Sequence, residues 1–365
     1  MIPIFEPHLA GNESKYLNQC LKTNWISSQG EFIEKFEKGL AAYHGRKYGI
    51  VTSNCTTALH LSLKALGIGK GDEVICPDLT FIAPANMVVL AGARLILADV
   101  DPDTLAVEIN QLEDKVSDRT KAVIVVHQFG HAAPMDEIIA FAQKYDLKVI
   151  EDNAESIGGK YKGQLLGSLG DIACFSFFAN KTITAGEGGA VLTNSDDIAE
   201  RCRILRDHGM SRQTKYHHVD LGYNYRMTNM QAAIGLAQLE ELDDILAARR
   251  AQMQLYYELL KDVDGIRLRP FKDWCEPAHW LMTVTLDPSI GRAAFLSYMK
   301  ERDVDCRQMV NPVHRADHFL ASYEDADYPN ANYVSTHSVH LPSSTHLSNT
   351  QIEYIVDSVK RFLQR

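Results

Sequence analysis

The chain has little to tie it to a membrane, a nucleic acid or an oxidising compartment. No apolar run approaches the roughly 20 residues that span a bilayer. Met1-Ile-Pro-Ile-Phe-Glu-Pro7 lacks a basic stretch followed by an apolar core, so no secretory leader is expected there. A net charge of −10 argues against the basic face that nucleic acid requires, yet leaves room for one locally basic pocket for a phosphorylated ligand. The seven cysteines, at 20, 55, 76, 174, 202, 275 and 306, include no CxxC pair. Neither a disulfide framework nor a zinc site is expected. The 14 histidines form no HExxH, and no GxxxxGK[ST] exists for a P-loop. Gly67-Ile-Gly69-Lys-Gly71 precedes a strand-like run instead of opening a helix, the wrong order for a dinucleotide phosphate. No metal is expected, and the reduced cytoplasm is the expected location.

What is present has the texture of a soluble globular enzyme, 45% hydrophobic and 23% charged. Its 365 residues exceed one ordinary domain of roughly 100–200 residues, so two are expected. Between residues 45 and 195, β-rich apolar runs alternate with amphipathic stretches. The strand candidates are Tyr48–Thr52, Glu73–Cys76, Leu95–Val100, Ala122–His127, Lys148–Glu151, Ile172–Phe177 and Ala190–Thr193, with helical patterns at Thr56–Leu66, Ile82–Leu90 and Met135–Tyr145. That alternation predicts an α/β fold with a mostly parallel sheet. Beyond residue 230, Leu239, Leu242, Leu246, Met253, Tyr257 and Leu260 recur at helical steps. One long helix is expected to join a large domain, 1–242, to a smaller C-terminal α+β domain, 243–365. The latter draws on Trp280–Leu286, Ala293–Glu301 and Thr350–Leu363.

Ligands of such sheets bind beyond the carboxyl ends of the strands, and chemistry-bearing residues gather there. Lys181 lies in Phe175-Ser-Phe-Phe-Ala-Asn-Lys181-Thr-Ile-Thr-Ala-Gly186-Glu-Gly-Gly189, between an aromatic strand and a glycine-rich turn. Burial disfavours an ammonium, and a neutral amine forms Schiff bases with carbonyls such as that of pyridoxal phosphate. For the lysine alone, a side chain snorkelling from a strand end is the plainer reading. Thr52-Ser-Asn-Cys-Thr-Thr-Ala-Leu-His60 turns a strand end into a helix, either as a plain cap or as a phosphate cradle. Val149-Ile-Glu-Asp152-Asn-Ala-Glu155 ends a strand in carboxylates. Alternation puts Asp152 on the face of Ile150, so Asp152 rather than Glu151 is the candidate to pair with a pyridinium, or else it caps the next helix. In Asp78-Leu-Thr-Phe81, Phe81 is a stacking candidate or simply core. Gly222-Tyr-Asn224-Tyr-Arg226-Met-Thr228 is a polar and aromatic cluster to which spacing assigns no role.

Lysine, phosphate cradle, aspartate and aromatic ring together suit a single cofactor. With Glu6-Pro, Trp25-Ile-Ser-Ser28, Gly71-Asp-Glu-Val74, Glu151-Asp-Asn-Ala-Glu155, Phe175-Ser-Phe-Phe178, Gly186-Glu-Gly-Gly189, Asn224-Tyr-Arg-Met227 and Leu341-Pro-Ser343, the chain resembles the sugar-nucleotide aminotransferases of the DegT/DnrJ/EryC1/StrS family over essentially its full length. The resemblance implies the type I pyridoxal-phosphate-dependent (aspartate aminotransferase-like) fold, with pyridoxal 5'-phosphate as cofactor. It makes Lys181 the Schiff-base lysine and proton shuttle, Asp152 the partner of the pyridine nitrogen and Phe81 the ring stacked on it. Glu155 lies near the ring substituents. Backbone amides of Cys55 and Thr56 and hydroxyls of Thr56 and Ser176 serve the phosphate. Asn224 reaches the phosphate of the neighbouring subunit, which makes a homodimer with shared sites the catalytic unit.

The implied reaction is ping-pong, from L-glutamate as donor to a nucleotide-linked ketosugar. Asn180-Lys-Thr-Ile-Thr184, Trp25-Ile-Ser-Ser28 and Tyr225-Arg-Met-Thr-Asn229-Met-Gln-Ala-Ala-Ile-Gly235 are most similar to members that aminate carbon 4 of GDP-4-keto-6-deoxymannose. Two segments depart from that pattern. Asn311-Pro-Val-His314 lacks an aromatic or histidine before its proline, and His131 stands where a glutamine is expected. Asn311 and His314 are therefore substrate candidates, Arg226 in the 222–228 cluster is another, and a dTDP- or UDP-linked sugar, or amination at carbon 3, stays open. So does a non-catalytic sensor of the cofactor or of an amino sugar. A dehydrating branch of the fold carries histidine in place of the lysine, which Lys181 argues against.

Overall fold

A computed structural model describes residues 1–364. Helices α1 (Glu13–Thr23) and α2 (Glu31–Tyr43) precede β1 (Tyr48–Thr52), α3 (Cys55–Ala65), β2 (Glu73–Pro77), α4 (Ala83–Leu90), β3 (Arg94–Ala98), β4 (Thr120–Val126), α5 (Met135–Lys144) and β5 (Lys148–Asp152). The short β6 (Lys160–Tyr161) and β7 (Gln164–Leu165) lead to β8 (Ile172–Ser176), β9 (Gly189–Thr193) and α6 (Asp196–Arg206). Seven strands form one sheet in the order β1-β9-β8-β5-β4-β2-β3. All expected strands are present, within two residues of the expected bounds. Their near-continuous apolar character follows from burial on both faces, and Ile50, Val74, Ile124, Ile150, Ile172 and Val191 line one core between sheet and helices.

The alternating pattern does not reveal that β9 runs against both its neighbours, whereas β3, β2, β4, β5 and β8 pair in parallel. Because β9 is reversed, its first residue meets the carboxyl ends of β1 and β8: Gly189 is in register with Thr52 on one side and Ser176 on the other. One rim thus carries every segment singled out above as bearing chemistry in the first half of the chain.

The single long helix expected from Leu239 onward is in fact two, α7 (Asn229–Glu240) and α8 (Leu242–Leu260), interrupted at Glu241 with φ −99° and ψ 3°. Their apolar residues serve different cores. Leu236, Leu239 and Leu242 pack with Phe32 and Phe36 of α2, while Met253, Tyr256 and Leu260 pack in the C-terminal half. There β10 (Ile266–Leu268), β11 (Cys275–Glu276), β12 (Met282–Leu286), α9 (Arg292–Glu301), β13 (Arg307–Gln308), α10 (Pro329–His337), β14 (Ser338–Leu341) and α11 (Asn349–Leu363) follow. An antiparallel sheet β10-β12-β14-β13 is covered by α8, α9 and α11 through Phe295, Met299, Ile352 and Ile355.

The chain crosses the 242/243 division in both directions. Ile2 bridges to Val304, β11 pairs with β6, and Met309, Val313, Tyr328 and Val334 join the core of the seven-stranded sheet. No helix among the described residues is long and apolar enough to cross a membrane.

Candidate active site

Beyond β8 the chain folds back on itself. Phe177 N donates to Gly188 O at 2.8 Å and accepts, through its carbonyl, from Ala185 N at 2.9 Å. The intervening loop projects Lys181 over the rim. Its ammonium is not stranded in apolar surroundings, as burial at a strand end suggested. Nζ lies 3.4 Å from Glu155 Oε1 and 3.6 Å from the centroid of the Trp280 ring. Glu155 is itself fixed, accepting from Phe129 N at 2.8 Å through Oε2.

Asp152 closes β5 and is buried. Its Oδ1 accepts from Ala154 N at 3.0 Å and faces Cys55 Sγ at 3.9 Å, and among the described residues no hydrogen bond reaches Oδ2. Burial pushes the carboxyl up to about 6, against the pull of the Ala154 amide and of Lys181. The neighbouring Glu151 points to the opposite face of the strand. It accepts from the amides of Gly167 and Leu169, each at 2.8 Å, lies 3.1 Å from His127 Nε2 and sits beside Arg46. The alternation therefore leaves one carboxylate committed to the fold and the other facing the rim.

At the end of β1, Asn54 caps α3: its side chain accepts from Thr57 N at 2.9 Å, and Thr57 Oγ1 accepts from Asn54 N. The amides of Cys55 and Thr56 stand in the first helical positions, where no intrahelical acceptor exists and the helix dipole favours an anion. Gly189 makes this approach possible. A Cβ there would fall 2.4 Å from the carbonyl carbon of Asn54. Ser176, in register with Gly189, flanks the same corner, and Phe81 is 62% exposed just past β2.

These residues fit pyridoxal 5'-phosphate. A primary amine suits its aldehyde, a buried and under-satisfied carboxylate suits a pyridinium, free amides with hydroxyls suit its phosphate, and an open aromatic face suits its ring.

Asn224 and Arg226 are not among the contacts of Lys181. Tyr223 and Tyr225 stack on each other at 4.7 Å and turn toward His60 on α3, and Tyr225 O accepts from Ser53 N at 2.9 Å. Alternate residues of an extended segment face opposite ways, so Asn224 and Arg226 lie on the outer side. There Arg226 Nε donates to Asn224 Oδ1 at 3.0 Å, and Nη1 pairs with Asp207 at 2.9 Å.

Two sequence expectations are corrected. His314 is buried with both ring nitrogens engaged, Nδ1 at 2.7 Å from Asp78 Oδ2 and Nε2 at 3.0 Å from Asp325 Oδ1. It tethers the chain after Asn311 to the end of β2 and has no free atom for a sugar. His131 is buried against Phe271 and Trp274, and burial pushes its imidazole down to about 3. Asn311 is exposed. Trp280 was not singled out from sequence, where it is one more apolar residue before a strand.

A rim lysine, a strand-end aspartate and a helix N-terminus arranged on this sheet define an enzyme of the type I pyridoxal-phosphate-dependent fold. The chain belongs to the DegT/DnrJ/EryC1/StrS aminotransferase family, whose model matches residues 7–360, and it is a pyridoxal-phosphate-dependent sugar aminotransferase. It is 41% identical over 365 residues to GDP-perosamine synthase of Caulobacter vibrioides, covering 99% of this chain and 98% of that one. Identity to GDP-perosamine synthase of Escherichia coli O157:H7 is 39% over 361 residues, with the same coverage. Among solved structures it is similar to S. venezuelae DesV in complex with a ketimine intermediate, with TM-score 0.92 and 31% identity over 97% of this chain and 95% of that one. It is also similar to the aminotransferase TlmJ from Streptoalloteichus hindustanus, with TM-score 0.93 and 29% identity over 100% and 99%.

Proposed function

We propose that this enzyme transfers an amino group from L-glutamate to carbon 4 of GDP-4-keto-6-deoxymannose, giving GDP-perosamine, and that it works as a cytoplasmic homodimer. The observation that carries the substrate is near full-length identity of 39–41% to two GDP-perosamine synthases. The placement of His131 adds to it. The His131 departure falls on a buried, internally packed position, so it does not argue for a different sugar, whereas the other departure falls on the exposed Asn311.

When bound, pyridoxal phosphate supplies an electron sink for charge that develops at the substrate carbon. Lys181 holds the cofactor at rest and, once free, carries a proton between carbons through Nζ. A positioned acid–base group of this kind is worth roughly 10²–10⁴-fold. Asp152 keeps the pyridine nitrogen protonated. The Cys55 and Thr56 amides, with the Thr56 and Ser176 hydroxyls, hold the phosphate, Phe81 covers the ring, and Glu155 steadies the amine. Asn224 and Arg226, turned outward and joined to each other and to Asp207, serve the partner's site, Asn224 at the phosphate and Arg226 at the substrate. Asn311 is kept as a substrate contact.

The test is a turnover panel. Purified protein with cofactor and L-glutamate meets GDP-4-keto-6-deoxymannose and dTDP- and UDP-4-ketosugars in parallel, with products read by mass spectrometry. An amino sugar from the GDP substrate is expected. Product from another nucleotide alone would discard the acceptor and keep the chemistry, and a protein that binds cofactor but aminates nothing would be a sensor.

A further inference from the structure

Trp280 reaches the rim from the C-terminal half of the chain and meets Lys181 with its ring face. It is 6% exposed and anchored on every side. Its indole Nε1 donates to the carbonyl of Asn180, the residue before the lysine, at 2.7 Å. Phe129 stacks parallel to it at 6.0 Å and 9°, and the same Phe129 donates its amide to Glu155. From behind, the buried guanidinium of Arg249 on α8 donates through Nη1 to the carbonyls of Trp280 at 3.1 Å and His279 at 3.4 Å. Glu155, Phe129, Trp280 and the Asn180–Lys181 backbone therefore close a ring around the amine. Within it, one wall is anionic and the other is a quadrupole whose face attracts cations.

We infer that Trp280 is a positioning residue: its ring face and the Glu155 carboxylate form a seat for the Lys181 ammonium whenever that amine is not bonded to cofactor. The inference rests on the reading of Lys181 given above and adds a residue to it. The seat keeps the released amine beside the rim and ordered, between a carboxylate and a ring face, and restrains its attack on carbonyl carbons. Because Arg249 grips the Trp280 backbone, the seat is built jointly by the two halves of the chain.

The test is isosteric. The chain has three tryptophans, Trp25, Trp274 and Trp280. Growth on fluorotryptophans weakens the ring face in steps without changing shape or removing the indole N–H. Trp25→Phe and Trp274→Phe remove the other two, which lie elsewhere: Trp25 is exposed, and Trp274 packs on His131 and Tyr161. The full-length, cofactor-free protein is labelled with acetic anhydride. Neutral Nζ attacks the acyl carbon, acetate leaves and a proton is lost, so an ammonium does not react. Peptide mass spectrometry compares Lys181 with the exposed Lys22.

A cation–ring contact of this kind corresponds to roughly a two- to thirtyfold effect. Lys181 labelling is therefore expected to rise stepwise with each added fluorine, up to that range, while Lys22 stays constant. Equal Lys181 labelling in unsubstituted and trifluorinated protein would overturn the seat. A merely packed tryptophan would give that flat series, since fluorination leaves the packing in place. Trp280→Leu, which opens access as well, is expected to label at least as fast as the trifluorinated protein, and slower labelling would also count against the seat. The labelling needs no cofactor, so its failure indicts the seat alone, whereas absence of a borohydride-stable cofactor link at Lys181 would indict the transaminase reading alone.

Discussion

Replacing Asp152 with asparagine separates what this carboxylate does to the fold from what it does for the cofactor. In the cofactor-free chain its carboxyl is held at about 6, against an ordinary 3.8, chiefly by burial. The native state then binds this proton more tightly than the unfolded state. The stability conferred by the proton is complete below pH 4 and lost as pH rises through 6. A gap of about 2 pH units is worth about 3 kcal/mol, a large share of a native protein's roughly 5–15 kcal/mol margin.

Asp152→Asn keeps an acceptor for the Ala154 amide and removes the titration. The assay is the urea midpoint of cofactor-free wild type and variant, measured in parallel from pH 4 to pH 8. The two should coincide near pH 4, and the variant should be the more stable by about 2–3 kcal/mol at pH 8. With cofactor the sign reverses. A pyridinium left without its buried carboxylate costs roughly 3–5 kcal/mol, or about 10²–10⁴-fold in affinity, read by equilibrium dialysis. A variant that tracks wild type across the whole pH series would refute burial of an unpaired carboxylate here. An unchanged affinity would refute its pairing with the ring.

Further outcomes follow from the same geometry. Gly189→Ala, whose Cβ would lie 2.4 Å from Asn54, should displace the α3 N-terminus, cost roughly 1–3 kcal/mol in a urea series and weaken cofactor binding by dialysis. His314→Ala takes the ring partner from Oδ2 of the buried Asp78 and leaves only the backbone amide on Oδ1. It should cost roughly 1–3 kcal/mol of stability while leaving KM for the ketosugar unchanged, and a selective rise in KM would restore His314 as a substrate contact. Lys181→Ala and Asn224→Ala should each abolish turnover as homodimers. Co-expressed, they should regain activity, because one site of the mixed dimer then has lysine from one chain and asparagine from the other; continued silence would place both residues in the same subunit's site.

Most of the site's parts on the first half of the chain were legible because each is local. Strand, turn and cap lie within a few residues of one another in the segments around Asn54, Asp152 and Lys181, and alternation alone separated Asp152 from Glu151. What was not legible depends on partners distant in sequence. The reversed β9 has the same apolar run as a parallel strand, since burial on both faces erases direction. Glu241 interrupts an otherwise continuous helical pattern because the two helices serve different cores. Trp280 and Lys181 meet only through the docking of the C-terminal half. His314 and His131 read as polar and available in sequence, and their neighbours, Asp78 and Phe271, show why they are not.

Three strand-end aspartates show how the rim is divided between fold and function. Asp78, after β2, accepts from His314 N at 2.8 Å and lies 2.7 Å from its ring, and its own carbonyl accepts from Val313 N. Asp99, after β3, accepts from Asn330 N at 3.0 Å and Ala331 N at 2.9 Å, capping the first turn of α10. At these two strand ends the carboxylates are saturated by the returning chain. Asp152, at the end of the more central β5, has partners on Oδ1 only. The same residue type in equivalent strand positions should therefore respond with opposite signs. Asp99→Ala removes a helix cap and should cost about 1–2 kcal/mol in the cofactor-free chain at pH 8, where Asp152→Asn gains stability. A loss of stability from both would mean that Asp152 is as fully engaged by the fold as its neighbours, and the end of β5 would lose its claim to the cofactor.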